Sequence, residues 1–191
     1  MKKQSFLREN YSRCWKFFAE SRWCIVLSLG VFFSFFLIGF TLPIFFRAEI
    51  FEFMANLSKS IEGMNTLEII GFILFNNIKA SFFALLFGIG LGIFPLLAGV
   101  ANGYLVGFVA REAAEVEGIF VLLRLLPHGI FELPAIFFSM GMGMKVGFSL
   151  LRRKKNFKKN LKESLRFFVF VILPLLIVAG IIEGILIRIT S

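Results

Sequence analysis

Two residues that could transfer protons, His128 and Glu132, lie four positions apart in the segment LPHGIFELPA, residues 126–135. Histidine titrates near neutral pH, and a neighbouring carboxyl could complete a proton-responsive pair or a gate. The alternative is structural, with both side chains satisfied as caps of helix ends that hold a bundle together. Zinc binding is not predicted, because the chain has a single His, its two cysteines are remote and HExxH is absent. We predict no metal, no cofactor and no catalytic residue.

The same segment carries residues that oppose a continuous helix. Pro127 and Pro134 each lack an amide donor, and Gly129 lies between them. We therefore predict a break at 127–134, which would make the surrounding membrane segment broken or re-entrant. Irregular backbone inside a membrane survives only where it is buried in protein or lines a wet cavity, so the break is a candidate site.

Further polar side chains interrupt other apolar stretches at Asn76, Lys79 and Asn102. Burying such groups in a bilayer costs free energy, which makes each of them informative. Lys79 lies ten residues into its apolar stretch, about 15 Å along a helix and near mid-depth. Together with His128 and Glu132 these residues form the predicted polar site.

Glycines recur at four-residue spacing in Gly99, Gly103 and Gly107. Such a stripe lets two membrane helices approach closely, so that van der Waals contact drives their association. Packing within one chain and packing between two copies in a homodimer both remain open.

The composition indicates that these residues lie in a lipid bilayer. Of 191 residues, 58% are hydrophobic, and the mean hydropathy of +0.86 is too high for a soluble domain. The absence of Asp excludes aspartyl proteases and Walker-type NTPases. We predict an all-α, polytopic membrane helix bundle with about five crossings. The predicted spans lie near 24–46, 69–89, 93–111, 118–151 and 167–187, in a single membrane domain of residues 24–191.

Basic residues concentrate in two segments, with six in residues 1–22 and eight in residues 152–166. The positive-inside rule places both in the cytoplasm, which predicts a plasma membrane protein with a cytoplasmic amino terminus and an external carboxyl terminus. We predict that residues 1–23 form an amphipathic helix at the cytoplasmic membrane interface, and that both basic segments attract anionic lipid. The charges could equally serve only as topology signals. Nucleic acid is not a predicted partner, because no folded soluble module remains to bind it.

The motif PHGxxELPA resembles the stage II sporulation protein M family of integral membrane proteins. The resemblance covers roughly residues 70–150. In spore-forming organisms it implies a membrane partner of the peptidoglycan-degrading machinery that drives engulfment. The family signature that it implies in this chain comprises Asn76, Asn102, Gly103, Pro127, His128, Gly129, Glu132 and Pro134.

Two classes of function follow from these observations. The first is a non-enzymatic scaffold or assembly partner in envelope remodelling or secretion, with membrane or envelope proteins as partners, and it depends on the family resemblance. The alternative is a small-solute or ion transporter or channel with a midplane polar site around His128 and Glu132. This alternative depends on the cost of burying polar groups in a bilayer.

Overall fold

The computed structural model describes residues 6–90, 92–151 and 156–190, and every regular element within these ranges is helical. A π-helical turn, Phe168–Ile172, joins the last two helices. The α-helices are α1 Phe6–Thr41, α2 Arg47–Ile61, α3 Thr66–Leu86, α4 Ile93–Glu117, α5 Leu122–Leu151, α6 Phe157–Phe167 and α7 Leu173–Thr190.

Five helical segments are long and apolar enough to cross a membrane, as predicted from the hydropathy of the chain. The last of them combines α6, the π-helical turn and most of α7. The segments are Phe6–Thr41, Thr66–Leu86, Ile93–Glu117, Gly129–Leu151 and Phe157–Ile187. The predicted class, an all-α polytopic membrane bundle, is therefore confirmed.

The predicted break at 127–134 is wrong, because α5 is one continuous helix that contains Pro127 and Pro134. Each proline removes one backbone hydrogen bond, but membrane helices tolerate this loss when neighbouring helices hold the segment in place. Beyond the second proline, Ala135 and Met140 are completely buried against those neighbours. Packing along this face keeps α5 helical where the local sequence opposes a helix.

The amino-terminal segment also differs from the prediction, since no boundary separates residues 6–23 from the first span. α1 is one helix of 36 residues. Its buried face begins at Asn10 and continues through Cys14, Phe17, Ser21 and Ile25. The ring of Phe18 contacts protein as well, with its centroid 5.6 Å from that of Phe138 in α5. Other helices therefore cover one face of this segment.

The glycine stripe of α4 packs against α1 inside the chain. A Cβ atom added at Gly103 or Gly107 would collide with the backbone carbonyl oxygen of Phe32 or Phe36, respectively. A Cβ atom at Gly99 would collide with the end of the Met140 side chain. All three glycines are buried. The stripe therefore joins α1 and α4, and the surface predicted for a homodimer through these glycines is already covered.

Candidate functional site

A cavity with a mainly apolar lining and four polar side chains, of about 430 Å³, lies between α3, α4 and α5. Its polar lining consists of Asn77 and Ser81 from α3, Asn102 from α4 and Glu132 from α5. α3 and α4 scarcely contact each other, so the cavity forms a groove along the side of the bundle with α5 as its floor. We call it the α3–α4 groove.

Helical spacing explains how three separate stretches of sequence build the α3–α4 groove. On α3, Asn77 and Ser81 are one turn apart and therefore share a face. On α4, Ala98 and Asn102 have the same spacing. The floor of the groove repeats at four residues along α5, where Glu132 is followed by Ile136 and Met140.

The walls of the groove are open to the surroundings of the bundle. Phe87 at the end of α3 is 50% exposed, and Leu97 in α4 is 56% exposed. Asn102 is also exposed. These residues lie in or beside segments that are long and apolar enough to span a membrane, so the groove opens on the outer surface of the helix bundle.

Of two polar side chains in the groove, Asn102 has a hydrogen bond within its own helix and Ser81 has none among the described residues. The amide nitrogen of Asn102 donates to the carbonyl oxygen of Ala98 at 2.8 Å, one turn earlier in α4. Ser81 is only 2% exposed, yet its hydroxyl has no hydrogen-bond partner among the residues that the structure describes. A buried hydroxyl without a partner costs free energy, so Ser81 is suited to a group that enters the groove.

Glu132 places a carboxyl group on the floor of the groove, where it is half-buried. The charge of Glu183, on the neighbouring helix α7, acts on this carboxyl group by repulsion. A carboxyl group that lines a cavity between membrane helices favours a cation or a hydrogen-bond donor near it.

The structure brings together only part of the predicted polar site. Asn102 and Glu132 line the groove, whereas Asn76 and Lys79 are exposed on α3 outside its lining. His128 belongs to the helix α5, but its side chain lies outside the part of the chain that the structure describes.

The predicted helix-break residues take ordinary positions within α5. Pro127 is exposed, while Gly129 and Pro134 are half-buried. The site prediction missed Asn77 and Ser81. Their four-residue spacing within one apolar stretch was the available signal, because it places both side chains on one helical face.

The fold and this groove define an all-α, polytopic membrane protein. The sequence profile of the family described as stage II sporulation protein M matches residues 26–186. The chain therefore belongs to this family, as its PHGxxELPA motif predicted.

One relative is an uncharacterised protein of Methanocaldococcus jannaschii, with 34% identity over 102 residues. The alignment covers 49% of this chain and 46% of that protein, so the chain matches about half the length of its relative. No solved structure gives a significant match.

Proposed function

We propose that this protein is a non-enzymatic membrane scaffold, an assembly partner in envelope remodelling or secretion, and that the α3–α4 groove receives a membrane helix of its partner. The observation that carries the proposal is the set of polar groups in a groove that faces the bilayer. Hydrocarbon cannot satisfy Asn77, Ser81, Asn102 or Glu132, whereas a polar residue on a partner helix can hydrogen-bond to them.

The outer surface of α3 supports the same interpretation. Asn76 and Lys79 are exposed on α3. Lys79 lies 13 residues after the start of that helix at Thr66, roughly 20 Å along it. A lysine at the centre of a lipid-facing helix costs about 2.5–3.5 kcal/mol, and a protein partner over this surface would remove that cost.

The kind of partner follows from the family and from the charges. The family name refers to sporulation, a process that remodels the cell envelope. We place the amino terminus in the cytoplasm and the carboxyl terminus outside, because basic residues concentrate in 1–22 and 152–166. The proposal assigns the chain no catalytic step, since two amides, a hydroxyl and a carboxyl in the groove can bind by hydrogen bonding alone.

Site-specific photocrosslinking in native membranes tests this proposal. A benzophenone amino acid replaces Phe87 on the groove wall, and in a matched variant it replaces Phe33 of α1. These two phenylalanines are 50% and 47% exposed. The scaffold proposal predicts a protein adduct from position 87, and this adduct should weaken several-fold when Asn102→Leu removes a polar group from the groove.

The two control variants show whether the crosslinked protein is docked in the groove. Equal adducts from positions 87 and 33, or an adduct unaffected by Asn102→Leu, would contradict docking in the groove. An adduct with twice the chain's mass of 21.7 kDa would identify the partner as a second copy and support a homodimer through the groove.

Transport of a small solute or ion is the second candidate function. It is supported by the electrostatic interaction between Glu132 and Glu183 on neighbouring helices, which favours a cation. If the protein is a transporter, liposomes that contain the wild-type protein should show flux of a small solute or ion. The variants Glu132→Gln and His128→Ala should abolish this flux while the protein stays folded. Wild-type liposomes without flux above empty liposomes would contradict it.

A further inference from the structure

A second cavity, of about 790 Å³, lies between the middle of α1, the carboxyl-terminal end of α5 and the beginning of α6. Its charged lining consists of Glu20 from α1, Lys145 from α5 and Lys159 from α6. We call it the lysine cavity. It shares no lining residue with the α3–α4 groove.

The charges in the lysine cavity do not balance. The Nζ atoms of Lys145 and Lys159 each lie 3.6 Å from the same carboxylate oxygen of Glu20. Among the residues that the structure describes, two ammonium groups and one carboxylate leave one positive charge. A site with this arrangement attracts an anion that carries a single negative charge.

Lys145 is held in position by more than Glu20. Its side chain is only 15% exposed, and its Nζ atom lies 4.8 Å from the centroid of the Phe17 ring, in a cation–π contact. Lys159 is more open to its surroundings, with a side chain that is 58% exposed. The cavity thus combines one enclosed ammonium group with one exposed ammonium group.

The remaining lining is apolar and of the kind that contacts lipid. Trp23, at the edge of the cavity, is 72% exposed. Tryptophan is enriched at the level of lipid headgroups, where its ring is amphipathic. Leu27, two turns beyond Glu20 in α1, adds an apolar side chain on the span side of the charges, and Phe148, one turn beyond Lys145 in α5, adds an aromatic ring to the lining. A ligand that complements this lining has an anionic end and a hydrocarbon chain.

We propose that the lysine cavity binds the headgroup of an anionic phospholipid. The phosphate lies between Lys145 and Lys159, and an acyl chain runs into the span along Leu27. The phosphodiester of such a lipid carries one negative charge, which matches the excess charge of the site. A soluble phosphate would satisfy the two lysines but would leave the apolar lining without a partner.

The fluorescence of Trp23 reports on binding directly. Trp15 and Trp23 are the two tryptophans of the chain, so Trp15→Phe leaves only the residue that lines the cavity. In vesicles that contain phosphatidylglycerol with brominated chains, bound lipid quenches this fluorescence. We expect stronger quenching than with brominated phosphatidylcholine at the same mole fraction.

Charge variants in this Trp15→Phe background separate a site from general attraction to the membrane. Lys159→Gln should weaken the preference for phosphatidylglycerol about tenfold or more, as expected when a hydrogen bond between two charged groups is lost. Lys158→Gln removes the same charge from the neighbouring position of α6, which does not line the cavity, and should weaken the preference only by the general surface attraction, at most about fivefold. Glu20→Gln should strengthen the preference, also by about fivefold. A loss of folding cannot mimic this increase.

Several results would overturn the proposal. Equal quenching by the two brominated lipids would exclude selectivity for an anionic headgroup. Equal effects of Lys158→Gln and Lys159→Gln would reduce the binding to general charge attraction. Removal of the preference by inorganic phosphate, but not by sulfate at equal ionic strength, would assign the cavity to a soluble phosphate instead.

Discussion

The carbonyl oxygen of Phe32 in α1 occupies the space where a Cβ atom of Gly103 in α4 would stand. The two helices approach each other backbone to backbone at this point, and only glycine permits the approach. Phe32 itself is 1% exposed, and its ring centroid lies 5.1 Å from that of Phe137 in α5. The contact therefore joins three membrane helices.

Gly103→Ala should destabilise the protein by about 1–3 kcal/mol, because the obstacle is backbone and cannot rotate away. Thermal or denaturant unfolding in detergent measures the loss. Gly30→Ala is the matched control, since a Cβ atom there has nothing within 4 Å. Similar unfolding midpoints for the two variants would contradict the close approach of α1 and α4.

Tyr104 stabilises the turn between α1 and α2 through its hydroxyl group. This hydroxyl accepts a hydrogen bond from the backbone N–H of Phe45 at 2.9 Å and lies within donating distance, 3.0 Å, of the Phe45 carbonyl oxygen. Tyr104→Phe should cost about 0.5–1.5 kcal/mol. It should also speed amide hydrogen exchange at residues 42–46. Unchanged exchange at this turn would show that the hydroxyl does not hold it.

The continuity of α5 predicts that Pro134→Ala preserves the fold. An alanine restores the missing amide donor within a helix that is already formed. The free energy of unfolding should therefore rise, by up to about 3 kcal/mol. Circular dichroism and unfolding in detergent measure both effects. A loss of stability or of assembly in this variant would favour a functional break at 127–134.

Ser81 and Ser28 should respond to alanine in opposite ways. Ser81 has a buried hydroxyl without a described partner, so Ser81→Ala should leave stability unchanged or raise it while weakening the groove-dependent crosslink. The hydroxyl of Ser28 lies 3.1 Å from the carbonyl oxygen of Phe137 in α5. Ser28→Ala should therefore cost about 1 kcal/mol. Equal stability losses would argue that Ser81 has an ordinary structural role.

Cysteine labelling tests the proposed orientation. After Cys14 and Cys24 are replaced by alanine, a single cysteine is introduced as Lys158→Cys in α6 or Glu52→Cys in α2, both at exposed positions. An impermeant maleimide should label position 52 in intact cells and position 158 only after permeabilisation. The reverse pattern would invert the topology.

The sequence predicts the number of helices that are long and apolar enough to span a membrane, because hydropathy and length are local properties. An apolar helix of sufficient length satisfies its own backbone in lipid, whatever its neighbours are. Hydropathy and length do not decide whether the helix is broken at 127–134. Pro127 and Pro134 oppose a helix locally, but packing at Ala135 and Met140 outweighs that effect, and packing depends on residues far away in the sequence.

The candidate site, too, was predictable only where local properties of the sequence decide it. The sequence identifies Asn102 and Glu132 as costly polar groups within spans, but it cannot decide between Asn76 and Asn77. Adjacent residues project about 100° apart around a helix, so only one of the two faces a given neighbour.

By itself, therefore, the sequence determined the all-α membrane class, the number of crossings and the family. The tertiary structure decided which faces meet. It buried the stripe of Gly103 and Gly107 against α1, opened the α3–α4 groove on the surface of the bundle and placed Lys145 and Lys159 around Glu20. The physical reason is that hydropathy acts on each helix separately, whereas helix rotation and close approach are set by the shapes of side chains on several helices at once.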